Sequence, residues 1–322
     1  MKLVTLVALL LFLVGCALGS ETPKVPSSPD SMTSYDPKRM GEFGNPQEVQ
    51  IIGYDGDAME PFITRDGQHL LFNSSNEPGV DTDLYYAEKI EDNVFQFMGE
   101  IRGANATDIL DATPSMDREG NFYFVSVRSY LSDYQSLYRG IFRDGTVTDV
   151  EAIPGNLSLG TLGWINMDVE VTPDGETLYF ASADFSERPE GMPPRSSDIR
   201  MAQRKDGQFV VTENSDFILQ NINTPEGLEY GVSIPGDGLE IFFTRTSLGP
   251  CGYQMRICRA VRDSDSETFG RPETIDAVLG GDACAFAEAP SVTSDGRVLY
   301  YTARQGSRYR ICMVSREKEA SA

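Results

Sequence analysis

Residues 168–180 read DVEVTPDGETLYF: an acid, a short apolar stretch, the turn Pro173-Asp174-Gly175, and an aliphatic-aromatic run. The pattern returns as EPFITRDGQHLLF at 60–72, DATPSMDREGNFYF at 111–124, EYGVSIPGDGLEIFF at 229–243 and EAPSVTSDGRVLYY at 288–301. The turn glycines are Gly67, Gly120, Gly175, Gly238 and Gly296, spaced 53, 55, 63 and 58 residues apart. Self-similarity at such a period marks a repeat architecture.

Asp-Gly between two apolar runs signals a hairpin, because glycine supplies the positive φ of a tight turn. Three to five residues past each glycine every copy is apolar, as in Leu70-Leu71-Phe72 and Leu178-Tyr179-Phe180. Short runs of this kind, rich in aromatic and β-branched residues, predict strands covered on both faces. A third strand follows, marked by the column Leu84, Leu137, Ile199, Ile257 and Ile311, and then a fourth, as at 95–101 and 272–278. Four antiparallel strands per repeat is the make-up of a propeller blade. No stretch between residues 45 and 316 predicts an amphipathic helix.

The fifth copy stops after its third strand, near Arg316. Upstream of the first copy, FGNPQEVQII at 43–52 matches FGRPETIDAV at 269–278, from the fourth strand of the fourth copy. The N-terminal strand is therefore expected to complete the last blade and remove an exposed edge. The expected fold is all-β: a five-bladed β-propeller over residues 43–316, closed by the N-terminal strand, with a polar tail at 317–322.

The pattern Pro-x4-Asp-Gly-x2-Leu-x-Phe, clearest at 61–72, resembles the TolB-like β-propeller repeat, a WD-like repeat of bacterial envelope proteins. The resemblance spans roughly residues 45–316. It implies the propeller fold and says little of activity, since relatives include scaffolds and enzymes.

Residues 2–15 carry one lysine and an apolar run too short to span a bilayer, which ends in Leu13-Val14-Gly15-Cys16. That ending resembles a bacterial lipobox and implies a signal peptide over 1–16 with a lipid on Cys16. The alternative is ordinary cleavage after Ala17-Leu18-Gly19 and secretion. Residues 17–42, rich in Ser, Pro and Thr, predict a flexible tether. Ala17 is not the aspartate that retains enteric lipoproteins in the inner membrane, so anchoring in the outer membrane, facing the periplasm, is expected.

Of five cysteines, four remain after Cys16. Cys251 and Cys284 fall in loops that open on one face, so a disulfide between them is expected in an oxidising envelope. Cys258 and Cys312 lie mid-strand and read as buried thiols. The formal net charge of −22 argues against nucleic acid and anionic membrane surfaces as partners. His69 is the only histidine, which excludes clusters of histidine metal ligands. It sits past the first turn with no nucleophile beside it, so a structural role is expected.

First strands line a propeller's channel. Glu60, Asp111, Asp168, Glu229 and Glu288, seven to nine residues before each turn glycine, would ring its mouth. Asp57, Asp108 and Asp282 lie just upstream, and Tyr230 and Trp164, the only tryptophan, fall in the same regions. Such acids can organise backbone amides, hold a hard cation such as Ca²⁺, or act as a glycosidase acid–base pair, with Asp168, Glu229 and Glu60 as candidates. Their register drifts by two residues between copies, which weakens the catalytic reading. The favoured expectation is a monomeric, non-catalytic, lipid-anchored binding protein that engages a protein or glycan through this face without a cofactor. The alternative is a carbohydrate-active enzyme. The insertion at 184–199 opens on the same face and is the candidate specificity loop.

Overall fold

Each of the five repeated segments folds as a hairpin, and the computed structural model describes residues 35–76, 81–188, 192–236 and 238–317. In three turns a threonine hydroxyl donates to the turn aspartate at 2.6 Å: Thr64 to Asp66, Thr172 to Asp174 and Thr293 to Asp295. The glycine after each aspartate has positive φ, 70° at Gly67, 74° at Gly175 and 69° at Gly296, which only glycine adopts freely.

The second and third strands extend each hairpin into an antiparallel sheet. The first repeat runs Met59–Ile63, His69–Asn73, Leu84–Glu91 and Val94–Glu100, and the second runs Asp111–Met116, Asn121–Ser126, Leu137–Arg143 and Thr146–Ala152. Repeats three and four share one eight-stranded sheet, joined where Ser197 bridges Leu228 in parallel. None of the sheets closes on itself through ladder bonds. Their faces pack through aromatic residues of the second strands, with Phe72, Phe124, Phe180 and Phe243 fully buried. Each such ring contributes about 2–3 kcal/mol of transfer free energy.

The first strands are stitched to one another by side chains. Ser115 Oγ accepts from Val171 N at 3.0 Å, Ser233 Oγ from Val292 N at 3.0 Å, and Ser291 Oγ from Ile63 N at 2.9 Å. Glu170 takes the serine's place in the third repeat, its Oε1 accepting from Ile234 N at 3.1 Å. Phe62 occupies the position in the first repeat, and there Arg65 Nε supplies the link, donating to Met116 O at 3.1 Å.

The N-terminal strand Gly44–Glu48 pairs antiparallel with Arg308–Ser315 of the fifth repeat, as expected from the match of 43–52 to 269–278. The aromatic residue opening each segment explains the match. The Arg262 guanidinium lies 4.5 Å over Phe269, and that of Arg316 lies 4.4 Å over Phe43. Residues Gln50–Ile52 then cross to pair in parallel with Val94–Glu100 of the first repeat.

Two expectations are corrected. The fourth strand of the fourth repeat is only Glu273–Thr274, because Asp276–Leu279 winds into a 3₁₀ turn. The tether expected over 17–42 is held in place from residue 35. Pro37 is buried and its carbonyl accepts from Arg259 Nη2 at 2.7 Å, while Tyr35 accepts from Arg316, itself buried against Glu240. The signal segment, Cys16 and residues 17–34 lie outside the described residues. Among the described residues no helix is long and apolar enough to cross a membrane.

Candidate functional site

A bulge interrupts the register of every first strand, between Met59 and Phe62, Ala112 and Ser115, Met167 and Glu170, Tyr230 and Ser233, and Glu288 and Ser291. The residue in the bulge takes a left-handed conformation: Glu60 at φ 50°, Thr113 at 48°, Asp168 at 53°, Gly231 at 59° and Ala289 at 50°. A bulge re-aims side chains, and non-glycine residues held at positive φ are strained and cluster at functional sites.

The bulge explains the drift of the acids, which occupy three different positions. Asp111 and Glu229, nine residues before their glycines, precede the bulge by two residues and turn away from the axis. Asp111 Oδ1 pairs with Arg128 Nη2 at 2.7 Å, and its Oδ2 accepts from Ala106 N at 2.7 Å. Glu229 Oε1 pairs with Arg245 Nε at 2.7 Å and accepts from Thr224 Oγ1 at 2.8 Å. Burial pushes both carboxyls up, opposed by these hydrogen bonds and the guanidinium charges. Both are fully buried and hold loops, so neither belongs to an open site.

Glu60 and Asp168, seven residues before their glycines, sit in the bulge itself. Glu288, at eight, sits just ahead of it. These three line one cavity of about 720 Å³, together with Tyr230 and Asn76. Asn76 Nδ2 donates to Glu60 Oε1 at 2.8 Å, and Tyr230 Oη donates to Glu288 Oε2 at 2.8 Å. Glu60 Oε2 is buried without a hydrogen-bond partner. No lysine or arginine among the described residues pairs with any of the three.

Their protonation follows from that isolation. Burial, opposed by hydrogen bonds from Asn76, Asn73 and the Thr113 amide, moves Glu60 up to about 7. Burial and the charge of Glu60 move Glu288 to about 7 against the Tyr230 hydrogen bond. Asp168 is raised well above the usual carboxylate range by burial and by the charges of Glu60 and Glu288, with the Gly231 amide opposing. Burial and mutual repulsion therefore favour the protonated form of each of the three and couple their titrations.

Apolar side chains form the walls, Met59, Met167, Met255 and Phe286 among them, and the insertion adds Phe185, Arg188, Met192 and Pro193. The disulfide between Cys251 and Cys284 ties the hairpin that precedes Met255 to the loop that carries Phe286. Below the acids the axis narrows to a void of about 30 Å³. Beneath it lies the buried pair Arg65–Glu170, Nη2 to Oε1 at 3.0 Å. Arg65 also donates to the carbonyls of Met116 and Ile234, and Ser115 Oγ donates to Glu170 Oε2 at 2.7 Å.

Trp164 does not reach the cavity. Ile165 and Met167 line it, and strand alternation sends Trp164 to the opposite face, where its carbonyl accepts from Tyr130 Oη at 3.0 Å. Asp57 is likewise structural, accepting from Tyr309 N at 3.0 Å, and Asp282 caps its own loop by accepting from Cys284 N at 2.9 Å. His69 pairs in register with Glu88, away from the cavity. Among the described residues no three His, Cys, Asp or Glu side chains converge as a metal-ion ligand set. Sequence reasoning missed Arg65 and Glu170. The available signal was the glutamate at an offset where three other repeats carry serine.

No protein-family model matches the chain, and no curated protein matches it. Solved structures do. The catalytic domain of a family 62 α-L-arabinofuranosidase from Coprinopsis cinerea matches with TM-score 0.50 and 10% identity, over 88% of this chain and 98% of that one. Zg3597, a family 117 glycoside hydrolase from Zobellia galactanivorans, matches with TM-score 0.50 and 12% identity, over 88% and 93%. The chain has a β-propeller fold. TolB from Acinetobacter baumannii is also similar, at TM-score 0.42 and 15% identity, over 83% of this chain and 56% of that one. At these identities the likeness speaks for the fold and not for the chemistry.

Proposed function

We propose that this chain is a glycan hydrolase of the bacterial cell envelope, in which Glu60, Asp168 and Glu288 supply acid and base to a glycosidic bond. The carrying observation is the contrast between the acids: Asp111 and Glu229 are each matched by an arginine, while the cavity trio is matched by none. A glycosidase needs one carboxyl protonated, to give its proton to the leaving oxygen, and one ionised, to activate water or attack carbon. Buried carboxyls whose charges oppose each other, with Glu60 and Glu288 near 7, meet that need at neutral pH. A drift in acid register weighs against catalysis only if all five acids are equivalent. It loses that weight once they fall into separate structural positions. Among proteins of similar fold, two are an arabinofuranosidase and a family 117 glycoside hydrolase.

The fold is taken here as five blades closed by the N-terminal strand, which the side-chain stitching of the first strands and the Arg316–Phe43 stack support. The lipobox-like ending at Cys16 supports attachment to the outer membrane. The test is turnover of a panel of chromogenic glycosides and envelope and algal polysaccharides, for the wild type and for Glu60→Gln, Asp168→Asn and Glu288→Gln. Loss of at least about a hundredfold in the variants is expected. Azide rescue identifies the base or nucleophile, and a substrate with an activated leaving group spares the variant lacking the acid. Tight glycan binding without turnover by the wild type would leave a non-catalytic glycan-binding protein instead.

A further inference from the structure

Among the described residues the cavity lining has one basic side chain, and it forms no ion pair with the acids there. Arg188 belongs to the insertion at 184–199, on the same wall as Phe185, Met192 and Pro193. Its amide donates to Phe185 O at 3.1 Å and its Nε donates to Pro193 O at 2.9 Å, so both backbone and head group are fixed. Among the described residues, the acids nearest to it in sequence are directed elsewhere. Asp184 and Glu187 both lie within 4 Å of Arg195, at 3.9 and 3.8 Å. With Nε tied back, Nη1 and Nη2 make no bond among the described residues, and two parallel N–H groups in that edge match a carboxylate bidentately.

Compensation of the floor acids is the competing role. The groups facing those acids from each packed element are Asn73 and Asn76, the Thr113 and Gly231 amides, Tyr230, and the acids themselves. Arg188 is not among the groups that set their protonation. Its charge is therefore left available to a ligand.

We propose that Arg188 recognises the carboxylate of a hexuronate unit, so that the glycan taken into the cavity is an acidic one. The inference rests on the cavity being a glycan site, and it names the class of glycan. Apolar walls such as Phe286 and Met255 suit the carbon faces of sugar rings, while one fixed guanidinium sets the orientation of the chain. The floor does not repel the ligand's carboxylate strongly, because its own carboxyls hold protons near neutrality.

The test is calorimetric binding, using wild type and Asp168→Asn, which binds without cleaving. The probes are trigalacturonic acid and cellobiouronic acid, each against its methyl ester, which has the same shape and no charge. At least one acid is expected to bind roughly 10- to 100-fold more tightly than its ester, as a charge-assisted pair requires. Arg188→Ala should erase that difference, and Arg188→Lys should keep part of it. Circular dichroism and melting temperature confirm that both variants are folded. Equal binding of acid and ester, binding of neither, or a preference that survives in Arg188→Ala overturns the proposal. An acid-selective wild type that cleaves nothing would remove the hydrolase and leave this inference standing. Turnover of neutral glycans without acid selectivity would do the reverse.

Discussion

Tyr230 donates its hydroxyl hydrogen to Glu288 Oε2 at 2.8 Å, the one hydrogen bond to that carboxyl among the described residues. A donor aimed at a carboxylate favours the ionised form. Tyr230→Phe should therefore raise Glu288 from about 7, by on the order of one pH unit. In a pH–rate profile of the proposed glycan hydrolysis the alkaline limb should move up by that amount, with the fold intact. An unmoved limb would show that Glu288 is not the group titrating there.

Stability should fall as pH rises through the same region. Glu60 and Glu288 have ordinary values of 4.5 and are raised to about 7 in the folded chain. Between those values the native state binds more protons than the unfolded one, so unfolding becomes easier as pH increases. Their contribution is complete below about 4.5 and lost above about 7. For either group alone it amounts to on the order of 3 kcal/mol. Urea denaturation at pH 5 and pH 8 should show this slope in the wild type and a flatter one in Glu60→Gln/Glu288→Gln.

The two arginine-matched acids should matter for stability and not for turnover. Asp111→Asn and Glu229→Gln each leave an arginine, 23% and 24% exposed, without its buried partner. Each substitution should cost roughly 2–4 kcal/mol in chemical denaturation, at the lower end because water reaches the guanidinium. Turnover per folded molecule should stay near that of the wild type. A large loss of turnover with unchanged stability would move these acids into the site.

Arg65→Met should be more damaging. It strips the partner from Glu170 where both side chains are 3% exposed, and it removes the links to Met116 and Ile234. A cost of about 3–5 kcal/mol is expected. The double variant Arg65→Met/Glu170→Ser, which restores the serine of the other repeats, should recover much of it. Failure to recover would mean that the carbonyl links, rather than the buried charge, carry the effect.

Much of this was legible along the chain. Four Asp-Gly turns and one Glu-Gly turn predicted five hairpins because a tight turn constrains φ locally. The likeness of Phe43 to Phe269 predicted where the N-terminal strand pairs because both rings stack on an arginine of the neighbouring strand. The acid columns were also visible, at seven, eight and nine residues before the turn, but their meaning was not. A bulge changes which way a side chain points, and its presence is decided by neighbouring strands. Trp164 misled for a related reason: proximity in sequence to Asp168 does not determine which face of the strand it occupies.

The sequence by itself determined the repeats, the strands and the partner of the N-terminal segment, since turns, apolar runs and ring–guanidinium contacts depend on residues nearby or in matching copies. Tertiary structure decided which acids act together. Three repeats bring Glu60, Asp168 and Glu288 to one floor, and only there do burial and mutual repulsion raise their proton affinity. Arg128 and Arg245, placed by their own sheets, hold Asp111 and Glu229 out of that floor. The separation between structural and chemical carboxylates is a property of what surrounds each one in space.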